Sequence, residues 1–161
     1  MGGMTMPGGS DAAMPGMAMP PGPPLAADPQ TVDLSAAHTD VEAGRFVQAI
    51  AIYERALAAD PHNLEARVHL GVSLAGVGQV DRGLAELDRA LAMDADNLHA
   101  LWSKAQTLFD QGRYVVSIPI WERVAAMAAN SPDAAAARGY VLRARERLEV
   151  RPKGLPDRKS P

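Results

Sequence analysis

The chain repeats itself every 34 residues. Ala37, Gly71 and Ala105 share that spacing, as do Gly44, Gly78 and Gly112. So do Phe46, Val80 and Tyr114, then Tyr53, Leu87 and Trp121, then Ala56, Ala90 and Val124. A register held across three copies implies one supersecondary unit stacked three times, because each unit cannot bury its apolar face alone. Stacks of this kind rarely do chemistry. They usually present a groove to a partner.

The residues in these positions resemble the tetratricopeptide repeat, a pair of antiparallel helices per unit. The segments that carry the resemblance are AGRFVQAIAIYERALAADPHN, LGVSLAGVGQVDRGLAELDRALAMDADN and AQTLFDQGRYVVSIPIWERVA. The resemblance implies an all-α, right-handed α-solenoid of three helix pairs, with repeats at about 30–63, 64–97 and 98–131. Small residues at 37, 71 and 105 suit close helix crossings, and the glycines at 44, 78 and 112 suit the turn inside each pair. Asp60-Pro61 suits the turn into the next unit. Two departures stand out. The first helix of repeat one has Asp33 and Asp40 where the others place Arg67 and Leu74, or Leu101 and Leu108. Pro119 falls in the second helix of repeat three, where a first-turn position would cost least.

The flanks are different material. Residues 1–29 hold six of the eight methionines, seven prolines and six glycines, with almost no charge, so the expectation is disorder. Residues 150–161 carry Arg151, Lys153, Arg158 and Lys159 among three prolines and read as a basic, flexible tail. Between the repeats and that tail, PDAAAARGYVLRARERLE is rich in helix formers and begins with a first-turn proline. It reads as a capping helix over 132–149, with Ala136, Tyr140, Val141 and Leu148 turned inward and Arg138, Arg143, Arg145, Glu146 and Arg147 turned to water.

Composition narrows the function. A net charge of −3 and 47% hydrophobic residues suit a packed repeat domain, and the absence of cysteine excludes disulfides, zinc–thiolate sites and a cysteine nucleophile. No apolar run is long enough to span a membrane, and no signal peptide is visible. An anchor upstream of Met1 would fit the proline-rich tether. Mild acidity without a basic aromatic stripe argues against nucleic acid. There is no phosphate loop, no His-Glu-X-X-His pattern and no nucleophile elbow, so no enzyme is expected.

In the family, the first helix of each pair lines the concave groove. Matched residue by residue, the stripe comprises Leu34, Ser35, His38 and Val41, then Val68, His69, Val72 and Ala75, then Trp102, Ser103, Gln106 and Phe109, with Asp110 at the edge. Trp102 and Phe109 are the side-chain types that carry binding hot spots; the alternative for Trp102 is packing on the C-terminal helix or on the N-terminal segment. Relatives that clamp acidic tails use fixed cations in the groove. Here Ser35, His38, His69, Val72, Ser103 and Gln106 offer none, so an apolar or amphipathic segment is the expected ligand.

His38, His69 and His99 all map to the groove side. Helix rise and interhelix spacing set neighbouring histidine backbones roughly 10–12 Å apart, which leaves a metal-binding pair marginal and disfavours a triad. The default is solvated or groove-polar histidine. Met4 and Met6, and Met17 and Met19, form two Met-X-Met pairs. Thioethers favour Cu(I), and such segments resemble copper-handling proteins of the bacterial envelope. Finally, YVVSIPIWERVAAMAANSPDAAAARGYVLRARERL resembles the end of periplasmic repeat domains of cytochrome c biogenesis, which hold unfolded apocytochrome segments. The leading reading is a non-enzymatic scaffold, adaptor or holdase that binds a protein or peptide partner, with an assembly role in an envelope complex and periplasmic location. The alternatives are an envelope metal-handling protein using Cu(I), and a cytoplasmic adaptor.

Overall fold

The computed structural model describes residues 32–150. The methionine-rich segment and the residues after Val150 lie outside that range, and with them the expectations of disorder, of a flexible tail and of copper at Met4, Met6, Met17 and Met19. Among the described residues there are seven helices and no strand: α1 Ser35–Glu42, α2 Phe46–Ala59, α3 Leu64–Gly76, α4 Val80–Met93, α5 Leu98–Asp110, α6 Tyr114–Met127 and α7 Pro132–Val150. Consecutive helices pack on each other, so the molecule is an all-α solenoid of three pairs closed by α7.

Local chemistry explains each boundary. Within every pair the first helix ends on a glycine with positive φ, Gly44 at 71°, Gly78 at 84° and Gly112 at 71°. The residue after each glycine donates back five positions into the helix: Arg45 to Asp40, Gln79 to Leu74 and Arg113 to Leu108, all at 2.7–2.8 Å. This is the left-handed helix ending that glycine adopts without a Cβ clash. Between pairs, Asn63 and Asn97 each accept an N–H, from Ala66 and Ala100, at 2.9 Å. Ser131 plays the same part for α7, accepting from Ala134 at 3.3 Å. These three caps are themselves 34 residues apart. Side-chain oxygens there satisfy donors that a helix start leaves unpaired.

The core is a ribbon of linked clusters. Ala37, Ala49, Tyr53, Ala56, Ala66, Leu70 and Leu74 fill the first. Val68, Leu87, Ala90 and Ala100 form the middle. Leu101, Ala105, Trp121, Val124, Ala125, Ala137 and Val141 form the last. Gly71 lies where α3 and α4 cross. A Cβ there would meet Leu87 Cγ at 2.8 Å and the Gly83 carbonyl at 2.9 Å.

Two expectations are corrected. The buried stripe of α7 is Ala134, Ala137, Val141 and Ala144, while Ala136 is exposed. Alanines at a spacing of three and four let α7 lie close on α6. Pro119 is the sixth residue of α6, beyond its first turn. It and Val115, whose carbonyl loses its helical donor, are both exposed, so water can satisfy that oxygen. The first helix departs from the others, as Asp33 and Asp40 imply. It is eight residues long against thirteen for α3 and α5. Asp40, in the register of the buried Leu74 and Leu108, pairs with Arg45 at 2.8 Å instead.

Candidate functional site

The first helices α3 and α5, with the start of α2 and α4, enclose a cavity of about 400 Å³. Its apolar wall is Phe46, Val72, Ala75, Val80 and Trp102. Its polar side is His99, Ser103, Gln106, Thr107, Asp110 and Gln111. Gln106 donates to Asp110 at 2.8 Å, and the Thr107 hydroxyl donates to the Ser103 carbonyl at 2.8 Å. That leaves an apolar pocket with a hydrogen-bonded polar rim, the usual make-up of a ligand cleft.

The expected groove residues divide into three groups. Val72, Trp102, Gln106 and Asp110 line the cavity. Val68 does not: it is 2% exposed and packed within the middle core cluster, because its face of α3 turns inward. Leu34 packs on the first cluster beside Val32 and Val41. Phe109 is half-buried, with its ring edge-on to Tyr114 at 5.1 Å and to Tyr140 at 5.2 Å. Trp102 has a foot on each side. It lines the cavity, and it also stands edge-on to Trp121 at 4.8 Å and to Tyr140 at 6.2 Å. Trp121 and Tyr140 stack at 4.3 Å, and the Arg143 guanidinium sits 4.2 Å over the Tyr140 ring. The aromatic end of the groove is therefore built on the capping helix.

Sequence reasoning missed Phe46, Gly76, Val80, Thr107 and Gln111. Phe46 and Val80 were visible as a register pair, but the register says only that they recur. Gly76 held the stronger signal. A Cβ there would meet the Phe46 ring at 2.8–2.9 Å, so its absence lets Phe46 lie across α3.

His38 and His69 belong to a second arrangement. Their ring centroids are 4.6 Å apart, and His69 lies 4.8 Å from His99. The backbone spacing expected from the sequence omitted side-chain reach: each imidazole extends toward its neighbour, and a row of three forms across α1, α3 and α5. Tyr53, fully buried, stacks on His69 at 5.6 Å and packs against His38 at 6.0 Å. Burial, reinforced by the neighbouring imidazoles, pushes His69 down to about 4. His99, the most open of the three, is lowered by burial and by His38, with Glu65 opposing. Burial, with Glu65 and Asp40 nearby, pushes the Tyr53 phenol up to about 12.

A larger and more open depression of about 540 Å³ lies between α6 and α7, lined by Ala125, Ala126, Val141 and Leu142 and by Glu122, Arg138 and Arg145. Arg145 and Glu122 pair across it at 2.8 Å. None of the expected groove residues lines this depression, so the cavity between repeats is the better candidate.

The helix pairs and their groove define a helical-repeat protein. The repeat is the tetratricopeptide repeat: residues 40–106 match that family's sequence profile, and the chain carries a tetratricopeptide repeat domain. Solved structures agree on the fold. The Yersinia enterocolitica type III secretion chaperone SycD, in complex with a peptide of the translocator YopD, has a TM-score of 0.64 at 15% identity, covering 71% of this chain and 91% of that one. The TPR2B domain of yeast Sti1 in its pHsp70 complex has a TM-score of 0.63 at 14% identity, covering 68% and 90%. A variant of MamA has a TM-score of 0.60 at 29% identity, covering 71% and 64%. None of the curated proteins matches the chain. None of the described helices is long and apolar enough to cross a membrane.

Proposed function

We propose that this chain is a non-enzymatic interaction module that seats an apolar or amphipathic segment of a partner protein between α3 and α5. The observation that carries the reading is the cavity itself. Phe46, Val72, Val80 and Trp102 wall a space large enough for one or two apolar anchors, and Gln106, Asp110 and Gln111 supply hydrogen bonds at the rim. The rim offers no fixed cation, which favours such a segment over an acidic tail. The similarity in fold to SycD, solved with a translocator peptide, supports a peptide-seating role. An assembly role in a bacterial envelope complex rests on the C-terminal resemblance to cytochrome c biogenesis domains.

The test begins with capture of partners by the full chain from native extracts, followed by mapping and titration of the bound segment. Val72→Asp places a charge on the apolar wall at a half-exposed position, so folding should survive. It should weaken binding at least about tenfold, the cost of desolvating an unpaired carboxylate against apolar contact. A segment that binds this variant as tightly as wild type would place the interface elsewhere.

A further inference from the structure

Two of the three histidines in the row share their surroundings with a carboxylate. Glu65 and His69 stand four residues apart on α3 and so share one face. His38 reaches the same point from α1. One ligand atom from each of His38, Glu65 and His69 lies within 4.8 Å of the other two. His38 Nε2 is 3.4 Å from Glu65 Oε1, yet the two do not align as a hydrogen bond, and Nε2 is left buried without a partner among the described residues. The Tyr53 hydroxyl, on a fully buried residue packed against both imidazoles, is also without a partner among the described residues. Polar atoms buried in this way ordinarily have a partner, because leaving them unpaired costs free energy.

We propose that His38, Glu65 and His69 form a binding site for a borderline divalent cation, with zinc the best fit. Two imidazole nitrogens and one carboxylate oxygen are a ligand set that zinc accepts, with a fourth position left for water or a partner's side chain. Calcium and magnesium prefer oxygen-only shells, and Cu(I) prefers thioethers. Bonds of about 2.0–2.1 Å set tetrahedral ligand atoms about 3.3 Å apart. The present separations therefore need to close by no more than about 1.5 Å. The Glu65 side chain is 60% exposed and free to make most of that movement, and its exposure gives the ion a way in. Such an ion would tie α1, the shortest helix, to α3 and so join repeat one to repeat two. The site is separate from the peptide cavity and does not depend on it.

The experiment is a zinc titration of the untagged, chelator-treated full chain, read by calorimetry against a competing chelator and by thermal melting. Thioethers bind zinc poorly, so the methionine-rich segment does not obscure the result. The wild type should take up one equivalent and melt at a higher temperature with zinc, since binding to the folded state alone stabilises it. Glu65→Gln, at an exposed position that tolerates substitution, and His38→Ala should each weaken uptake at least about tenfold. His62→Ala, in the exposed turn after Pro61, should bind as wild type does. The absence of saturable uptake by the wild type would overturn the proposal. So would uptake that neither Glu65→Gln nor His38→Ala weakens.

Discussion

Gly71 and Gly83 face each other across the α3–α4 crossing, each where the other's carbonyl passes. A Cβ on Gly83 would lie 2.5 Å from the Gly71 carbonyl oxygen, and one on Gly71 would lie 2.9 Å from the Gly83 oxygen. Both obstacles are backbone, which cannot rotate away. Gly71→Ala should therefore cost about 1–3 kcal/mol despite adding one methyl group, and thermal melting should show it; an unchanged melting temperature would mean that the crossing is looser than described. Gly71 stood out in the sequence because Ala37 and Ala105 share its register. Gly83 did not, although Ala49 and Ser117 share its register and all three are buried. A register reveals recurrence, not which recurring residue meets which. His69 gives a second prediction at this scale. Its folded pKa, about 4, lies below the ordinary value of 6.5. The unfolded chain thus binds a proton that the fold resists, and stability from this residue is present above about pH 6.5 and lost as pH falls toward 4. With chelator present, the melting temperature should drop over that window, and His69→Gln should flatten the drop.

Helix ends carry much of the specification. Asn63, Asn97 and Ser131 cap α3, α5 and α7 with side-chain oxygens, whereas Leu34 ahead of α1 supplies none. Asp33 bonds Ser35 instead, accepting from its N–H at 2.9 Å. Asn97→Ala should cost about 1 kcal/mol, measurable by chemical denaturation with an unchanged slope, while substitution at Leu34 should not reproduce a cap loss. The helices and their turns were legible because the first helix of each pair ends on a glycine whose positive φ no other residue matches as readily. The inward face of α7 was less legible. Its buried stripe is mostly alanine, and alanine in a helix-rich segment reads equally well as surface or core. The row of imidazoles was illegible for another reason: it depends on side-chain reach across three helices, which backbone spacing alone does not give.

For the whole molecule, the groove predicts how a partner should respond to solution conditions. Its walls are apolar, and Asp110 at the rim already accepts a hydrogen bond from Gln106. Partner binding should therefore weaken only slightly with added salt, because screening acts chiefly on exposed charge pairs. Trp102→Ala should cost on the order of 2 kcal/mol of affinity. It should also lower the melting temperature, since the same ring braces Trp121 and Tyr140. Affinity that collapses with salt while Trp102→Ala binds normally would move the site to the arginine face of α7. The stack is also asymmetric along its length. Its last third is locked by Trp121, Tyr140 and a nineteen-residue helix, and its first helix is eight residues long with no side-chain cap. Each helix leans mainly on its sequence neighbours, so tension applied to the two ends has no parallel path by which to spread. Pulled in that way, the chain would yield as a series of links, with α1 first to part and the aromatic end last.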